Sequence, residues 1–259
     1  MAEPFLTDRH VHLFLRGAPA IPSGIKTIIN AFLEHNIKEV YDMGSRDALG
    51  FRFRGIFEKS GITLRTCGYA LFKEGGYGGF LGRPVKDKTD IRKYIEDLYQ
   101  KGADFIKVIN SGILKEDGGI TGGGFPLEEL KLIVSMAHYR GLRVFCHVSS
   151  EEKIRDALEA GVDSIEHGFF MPEECLFMMK EQAVSWTPTV YALWALIQRT
   201  SKDKRARLER ILSGHLQMVG LALEIDVTVN IGSDSGSTLV EHGEGFIKEK
   251  QMLYSIRHD

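Results

Sequence analysis

The chain has 259 residues, a length that suits one α/β barrel and is large enough to bury a sizeable core. Lysine and arginine total 33 against 35 aspartate and glutamate, a formal net charge of −2, so there is no basic field to hold nucleic acid or an anionic membrane. No stretch is apolar for long enough to cross a bilayer, and the opening MAEPFLTDRH lacks the basic-then-apolar order of a leader. These features predict one soluble, cytoplasmic domain over residues 1–259 that acts on a small molecule.

Short β-branched or apolar runs alternate with longer segments of helical period, the pattern of βα units on a parallel sheet. Strands are predicted over 5–13, 38–43, 62–71, 104–110, 142–148, 163–168, 183–190 and 227–233. Helices are predicted between them over 25–36, 91–101, 127–140, 151–160 and 173–182, several closing on a glycine such as Gly61, Gly102, Gly141 or Gly161. Eight units of about 30 residues give about 240, so a (β/α)8 TIM barrel nearly exhausts the chain. Only the stub from Glu244 to Asp259 remains for an eighth helix. Two long glycine-rich loops, 74–83 and 111–125, follow the third and fourth strands and would form a substrate mouth. The charged run SKDKRARLER reads as a solvated helix face.

Cys67, Cys146 and Cys175 lack the close spacing of a metal or redox motif and read as buried thiols of a reducing compartment. Neighbours on a strand point to opposite sides, so a His147 facing the barrel axis turns Cys146 towards the helices. The same geometry brings His10 and His12 to one side of the first strand, where both can grip one ion. His147 in RVFCHV and His167 in DSIEHG close the fifth and sixth strands, and Asp234 follows VTVNIGS at the end of the eighth. Each alone has an ordinary reading as a core histidine, a polar strand end or a turn cap.

Lys107 lies in the middle of DFIKVIN, where burying an ammonium is costly unless it is paired or chemically altered. An ion pair with Asp234 is one solution. Carboxylation of the amine by carbon dioxide is the other, and yields an anion able to bridge two cations. All six side chains fall at or near C-terminal strand ends, the face on which barrels place their chemistry. Together they predict a site for two divalent metal ions. Nitrogen and carboxylate donors without thiolate suit zinc, with manganese, iron, cobalt and nickel also open.

The motifs DRHVH, GADFIKV, the histidine of VFCHV, AGVDSIEHG and NIGSDSG, in that order, resemble the amidohydrolase superfamily in its binuclear form with a carboxylated lysine. The phrasing around GADFIKV, AGVDSIEHG, TPT and GSDSG is similar to the branch of imidazolonepropionase-like enzymes and Xaa-Pro dipeptidases. The resemblance runs from Asp8 to Gly245. It implies that His10, His12 and Asp234 hold the more buried ion and His147 and His167 the more exposed one. Lys107 would bridge them as a carbamate, and Asp234 would also shuttle the proton.

The activity implied is metal-dependent hydrolysis of an amide, cyclic or peptide-like, by a hydroxide that the ions share. Lactone, ester or phosphoester hydrolysis on the same centre is the alternative, and an inert barrel used for binding is another. The centre's net positive charge favours a substrate with a carboxylate or a developing oxyanion. Tyr69, Tyr191 and His242 are placed to touch substrate, Asp8 to support the first strand's histidines, and Arg83 is a cation of undetermined direction. His35, His138 and His215 fall in helical segments and read as surface residues. Members of the superfamily usually carry a flanking β-sandwich, for which this sequence offers no segments, and self-association as a homo-oligomer would cover the exposed edge.

Overall fold

The structure, a computed structural model, describes residues 5–15, 22–237 and 240–256. In chain order the elements are β1 (Leu6–Val11), α1 (Pro22–Glu34), β2 (Ile37–Asp42), α2 (Leu49–Lys59), β3 (Thr63–Thr66), β4 (Ala70–Lys73), β5 (Gly82–Val85), α3 (Lys88–Gln100), β6 (Phe105–Ile109), α4 (Leu127–Tyr139), β7 (Arg143–Val148), α5 (Glu151–Ala160), β8 (Ser164–His167), α6 (Glu173–Gln182), β9 (Ser185–Thr187), α7 (Val190–Arg199), α8 (Lys202–Glu224) and α9 (Glu244–Ile256). The strands form two parallel sheets, β1-β2-β3 and β5-β4-β6-β7-β8-β9. Flanking helices make this an α/β fold of the kind found in (β/α) barrels. Among the described residues every strand belongs to one of these sheets, and no helix is long and apolar enough to cross a membrane.

Alternation along the strands divides the core into two shells. Ile106, Val108, Val144, Cys146 and Ile165 turn outwards and pack with Ile91, Leu98, Leu130 and Ile154 of the helices. Phe105, Phe145, Met43 and Cys67 face the other way and form a separate cluster, in which the Phe105 and Phe145 rings stack 4.4 Å apart. One step along the same side of β6 and β7 stand Lys107 and His147. The aromatic plug thus lies one side-chain layer from them. Each buried ring contributes about 2–3 kcal/mol through its removal from water.

Two predicted strands differ from expectation. The third, 62–71, is broken by Gly68, whose φ of 72° ends β3 and sets β4 in the other sheet. Part of the expected loop at 74–83 becomes β5, paired to β4. The eighth, 227–233, forms no ladder. Its backbone bonds singly to both sides: Trp186 donates to Thr228 (2.9 Å) and Asn230 to Trp186 (2.7 Å), while Arg9 donates to Ile231 (3.0 Å) and Asp234 to His10 (2.8 Å). Asp8 fastens this segment to β1, accepting from the Ser233 amide at 2.9 Å and its hydroxyl at 2.5 Å. Close approach requires glycine, because a Cβ on Gly232 would lie 2.4 Å from Thr187 and one on Gly236 would lie 1.8 Å from the His12 carbonyl oxygen.

The helices follow prediction within a few residues at their ends, and the SKDKRARLER run opens α8. His215, expected at the surface, is buried on α8, where its ring meets the Pro188 carbonyl at 2.9 Å. The expected C-terminal stub forms α9, and its last three residues, 257–259, lie outside the described residues. From α9 the buried carboxylate of Glu249 accepts the amides of Val190 (3.0 Å) and Tyr191 (2.6 Å), capping the start of α7.

Burial pushes the Glu249 carboxyl up to about 8 from an ordinary 4.5, so the folded chain keeps a proton that the unfolded chain releases. This group's contribution is complete below pH 4.5 and is lost as the pH rises towards 8. Glu249→Gln removes the titration. On metal-free protein, the variant's urea midpoint should therefore gain on wild type as the pH is raised across that range, and a constant gap would contradict the assignment.

Candidate metal centre

His10 sits near the end of β1 with its Nδ1 2.5 Å from Glu166 Oε2, and Glu166 is itself held by the Ser164 hydroxyl at 2.6 Å. This contact turns Nε2 into the interior, where it has no hydrogen-bond partner. Asp234 Oδ1 lies 3.5 Å from it and 3.1 Å from His12 Nε2. The ligand atoms of His10, His12 and Asp234 all fall within 4.8 Å of one another, a spacing that one cation can gather.

The other three residues face the same space. Ring centroids of His10 and His167 are 4.9 Å apart, and those of His147 and His167 are 4.6 Å apart. His147 Nε2 donates to the Gly112 carbonyl at 3.2 Å, which leaves Nδ1 as its lone-pair nitrogen. The Thr189 hydroxyl fixes His167 Nδ1 at 2.8 Å. Lys107 is 1% exposed, and its Nζ has no hydrogen-bond partner. Among the described residues it also forms no ion pair, so the pairing with Asp234 that the sequence left open is not formed. All six line one cavity of about 180 Å³.

Burial pushes His10 and His167 well below the ordinary imidazole value and His147 down to about 3, with the Lys107 ammonium adding to each. These rings are neutral at pH 7, as ligation requires. Burial lowers the Lys107 amine as well. Non-glycine residues in the left-handed region mark the strand ends here, with φ of 66° at His167, 50° at Thr189 and 56° at Asp234. Such strain, about 1–3 kcal/mol each, is held by the surrounding structure and gathers at functional sites.

The sequence profile of the amidohydrolase family matches residues 1–258. The chain belongs to this family. Ochratoxinase of Aspergillus niger is 29% identical over 175 residues, covering 64% of this chain and 36% of that protein. An uncharacterized protein of Mycobacterium tuberculosis is 27% identical over 167 residues, 61% of this chain and 44% of that protein. The matched region thus spans less than half the length of these curated relatives. In fold, the crystal structure of a Xaa-Pro dipeptidase with bound methionine in the active site superposes with a TM-score of 0.79 at 22% identity, over 98% of this chain and 70% of that one.

In this amidohydrolase the expected substrate contacts lie elsewhere. Tyr69 is fully buried, with its hydroxyl 2.7 Å from Asp97, and it does not line the cavity; the break at Gly68 turns it to the helix side. Tyr191 stacks on Trp194 at the mouth of a different, outer depression. His242 meets the His12 carbonyl at 3.2 Å and bears on the loop after β1 rather than on the cavity. Arg83 covers the Tyr69 ring at 4.1 Å. Sequence reasoning missed Tyr77, which lines the cavity 5.9 Å from the His147 ring, and the buried acceptor Glu166. An aromatic amid GGYGG and a carboxylate inside an apolar strand were the available signals.

Carboxylates that orient ligating histidines typically contribute 10–100-fold to metal affinity, by an order-of-magnitude rule. Glu166→Ala should weaken zinc binding by about that factor in a chelator competition, with a smaller loss in Glu166→Gln, whose amide oxygen can still accept from Nδ1. Unchanged affinity in both variants would deny Glu166 this role.

Proposed function

We propose that this amidohydrolase is a metal-dependent hydrolase of amide bonds, peptide-like or cyclic, working through two divalent cations. The observation that carries the reading is the convergence of His10, His12, Lys107, His147, His167 and Asp234 on one cavity. The donor set fits, since His10 Nε2 and Lys107 Nζ, buried without a hydrogen-bond partner, call for an occupant. His10, His12 and Asp234 would hold one cation, and His147 and His167 the other. Cations bound there, zinc by the softness of the donors, would bring the pKa of a water towards neutrality and polarise a carbonyl.

The chain's own residues do the rest. Lys107, an unpaired amine with a depressed pKa, is suited to add to carbon dioxide. A new N–C bond would form as one C=O π bond of carbon dioxide opens and one N–H proton leaves to solvent, giving a carbamate anion that could serve as a ligand. Asp234, close to both β1 histidines, would take the proton from the attacking water and give it to the departing amine. Among fold neighbours, the Xaa-Pro dipeptidase by name cleaves a peptide bond, which supports a C–N substrate. We read the whole chain as one domain whose two sheets are arcs of a closed barrel, β3 and β4 making one stave. Supporting this are the Asp104 amide on Thr66 of β3 at 3.0 Å and the single bonds of 227–235 to β9 and β1.

Zinc loading with bicarbonate should give two equivalents per chain and hydrolysis of some member of a panel of N-acyl amino acids, dipeptides, lactams and lactones. Turnover confined to lactones would select the ester alternative. Asp234→Asn should lower kcat by about 10²–10⁴. Lys107→Ala should lose the second equivalent and regain part of its activity with small carboxylic acids. A chelator-treated protein as active as the loaded one would refute the metal-dependent reading.

A further inference from the structure

The six site residues make one side of the cavity polar, but most of the remaining lining is apolar. Tyr77 and Phe80 from the loop between β4 and β5, Ile113 after β6, Phe169 after β8, and Leu193 and Leu196 on α7 surround the six site residues. The wall is backed by core: Leu193 packs with Leu114, Ile197 and Leu208, with Phe169 and Leu196 against them. At the rim Phe80 is 42% and Ile113 39% exposed, apolar surface that an occupant of the mouth would cover.

Charge is as informative as hydrophobicity. Among the described lining residues the only cation outside the histidines is Lys107, which belongs to the centre itself. The nearby guanidinium of Arg83 is engaged, 4.1 Å above the Tyr69 ring and 3.7 Å from Asp97. A substrate carboxylate away from the metals would find no counter-ion on these walls, and burying it unpaired is costly. An apolar group meets no such cost, and a cavity of about 180 Å³, part of which the centre itself takes, limits that group to a small one.

Building on the hydrolase reading, we propose that this site takes amides bearing one uncharged, phenyl-sized aromatic or branched aliphatic group next to the scissile bond, and discriminates against substrates with a free carboxylate beside it. This departs from the sequence expectation that the centre's positive charge favours a carboxylate. Leu193 and Leu196 are the specificity-determining residues, because they present a preformed apolar face from a helix whose start is pinned by Glu249.

The test uses zinc-loaded protein and amides of one reporter amine acylated with acetyl, isobutyryl, benzoyl and anthracenoyl groups, together with benzoyl amides whose amine carries either a carboxamide or a carboxylate. kcat/KM should rise at least about 10-fold from acetyl to benzoyl, in line with burial of a ring's apolar area, and fall again for the anthracenoyl group. The carboxamide twin should exceed the carboxylate. Leu196→Ala should shrink the benzoyl-to-acetyl ratio, and Leu193→Ala gives a second reading if the first variant unfolds. Equal rates for acetyl and benzoyl, or a preference for the carboxylate, would overturn the inference while leaving the hydrolase reading intact. Calorimetry with benzamide and acetamide on protein as purified separates the two: tighter benzamide binding with no turnover of any amide sinks the amidase reading alone, whereas indifference between the two ligands sinks this one.

Discussion

Polar atoms buried without a protein partner are the constraint around which this molecule is organised. His10 Nε2, His12 Nδ1 and Lys107 Nζ are all enclosed and unbonded. Each such group costs about 1–3 kcal/mol when left unsatisfied, more if charged. A marginally stable domain does not set His10 Nε2 and Lys107 Nζ around one cavity without return. An electron-pair acceptor in that space would satisfy such atoms, and folding and metal binding would then be coupled.

Three of the cavity histidines are held from behind. Glu166 and Ser164 fix the His10 ring, Thr189 fixes His167, and the Gly112 carbonyl fixes His147. Thr189 in turn precedes a helix start held by Glu249 from the far end of the chain, and Asp8 ties Ser233, next to Asp234, to β1. The strained backbone at His167, Thr189 and Asp234 persists because these bonds over-determine it. The geometry of the site is thus a property of chain regions far apart in sequence.

That dispersal explains what could be read from the sequence and what could not. The six cavity residues were legible because strand alternation and strand ends are local features, visible in runs such as DFIKVIN and RVFCHV. The eighth strand was legible as a position but not as a state, since its pairing is set by Asp8 and by two glycines against His12 and Thr187. Tyr69 was misplaced because one glycine resets the alternation within a run that otherwise looks continuous. His215 was misplaced although a signal existed: Leu208, His215, Val219 and Ala222 share the buried stripe of α8 at helical spacing. Second-layer carboxylates such as Glu166 are the hardest to read, as their role is defined only by a partner 156 positions away.

Electrostatics gives the proposed lysine modification its physical sense. With Lys107 as an ammonium, the histidines face a buried cation that further disfavours their protonated forms, and the cavity would repel a dication. Carboxylation inverts that charge at the centre of the cluster. The site would then offer a carbamate in addition to the Asp234 carboxylate, with Glu166 behind His10 making the ring a better donor. Burial would serve both steps, first by weakening the amine's hold on its proton, and afterwards by strengthening the attraction between a carbamate anion and bound cations. A lysine in the middle of an apolar strand is a hindrance to folding as an ammonium and would be a ligand once modified.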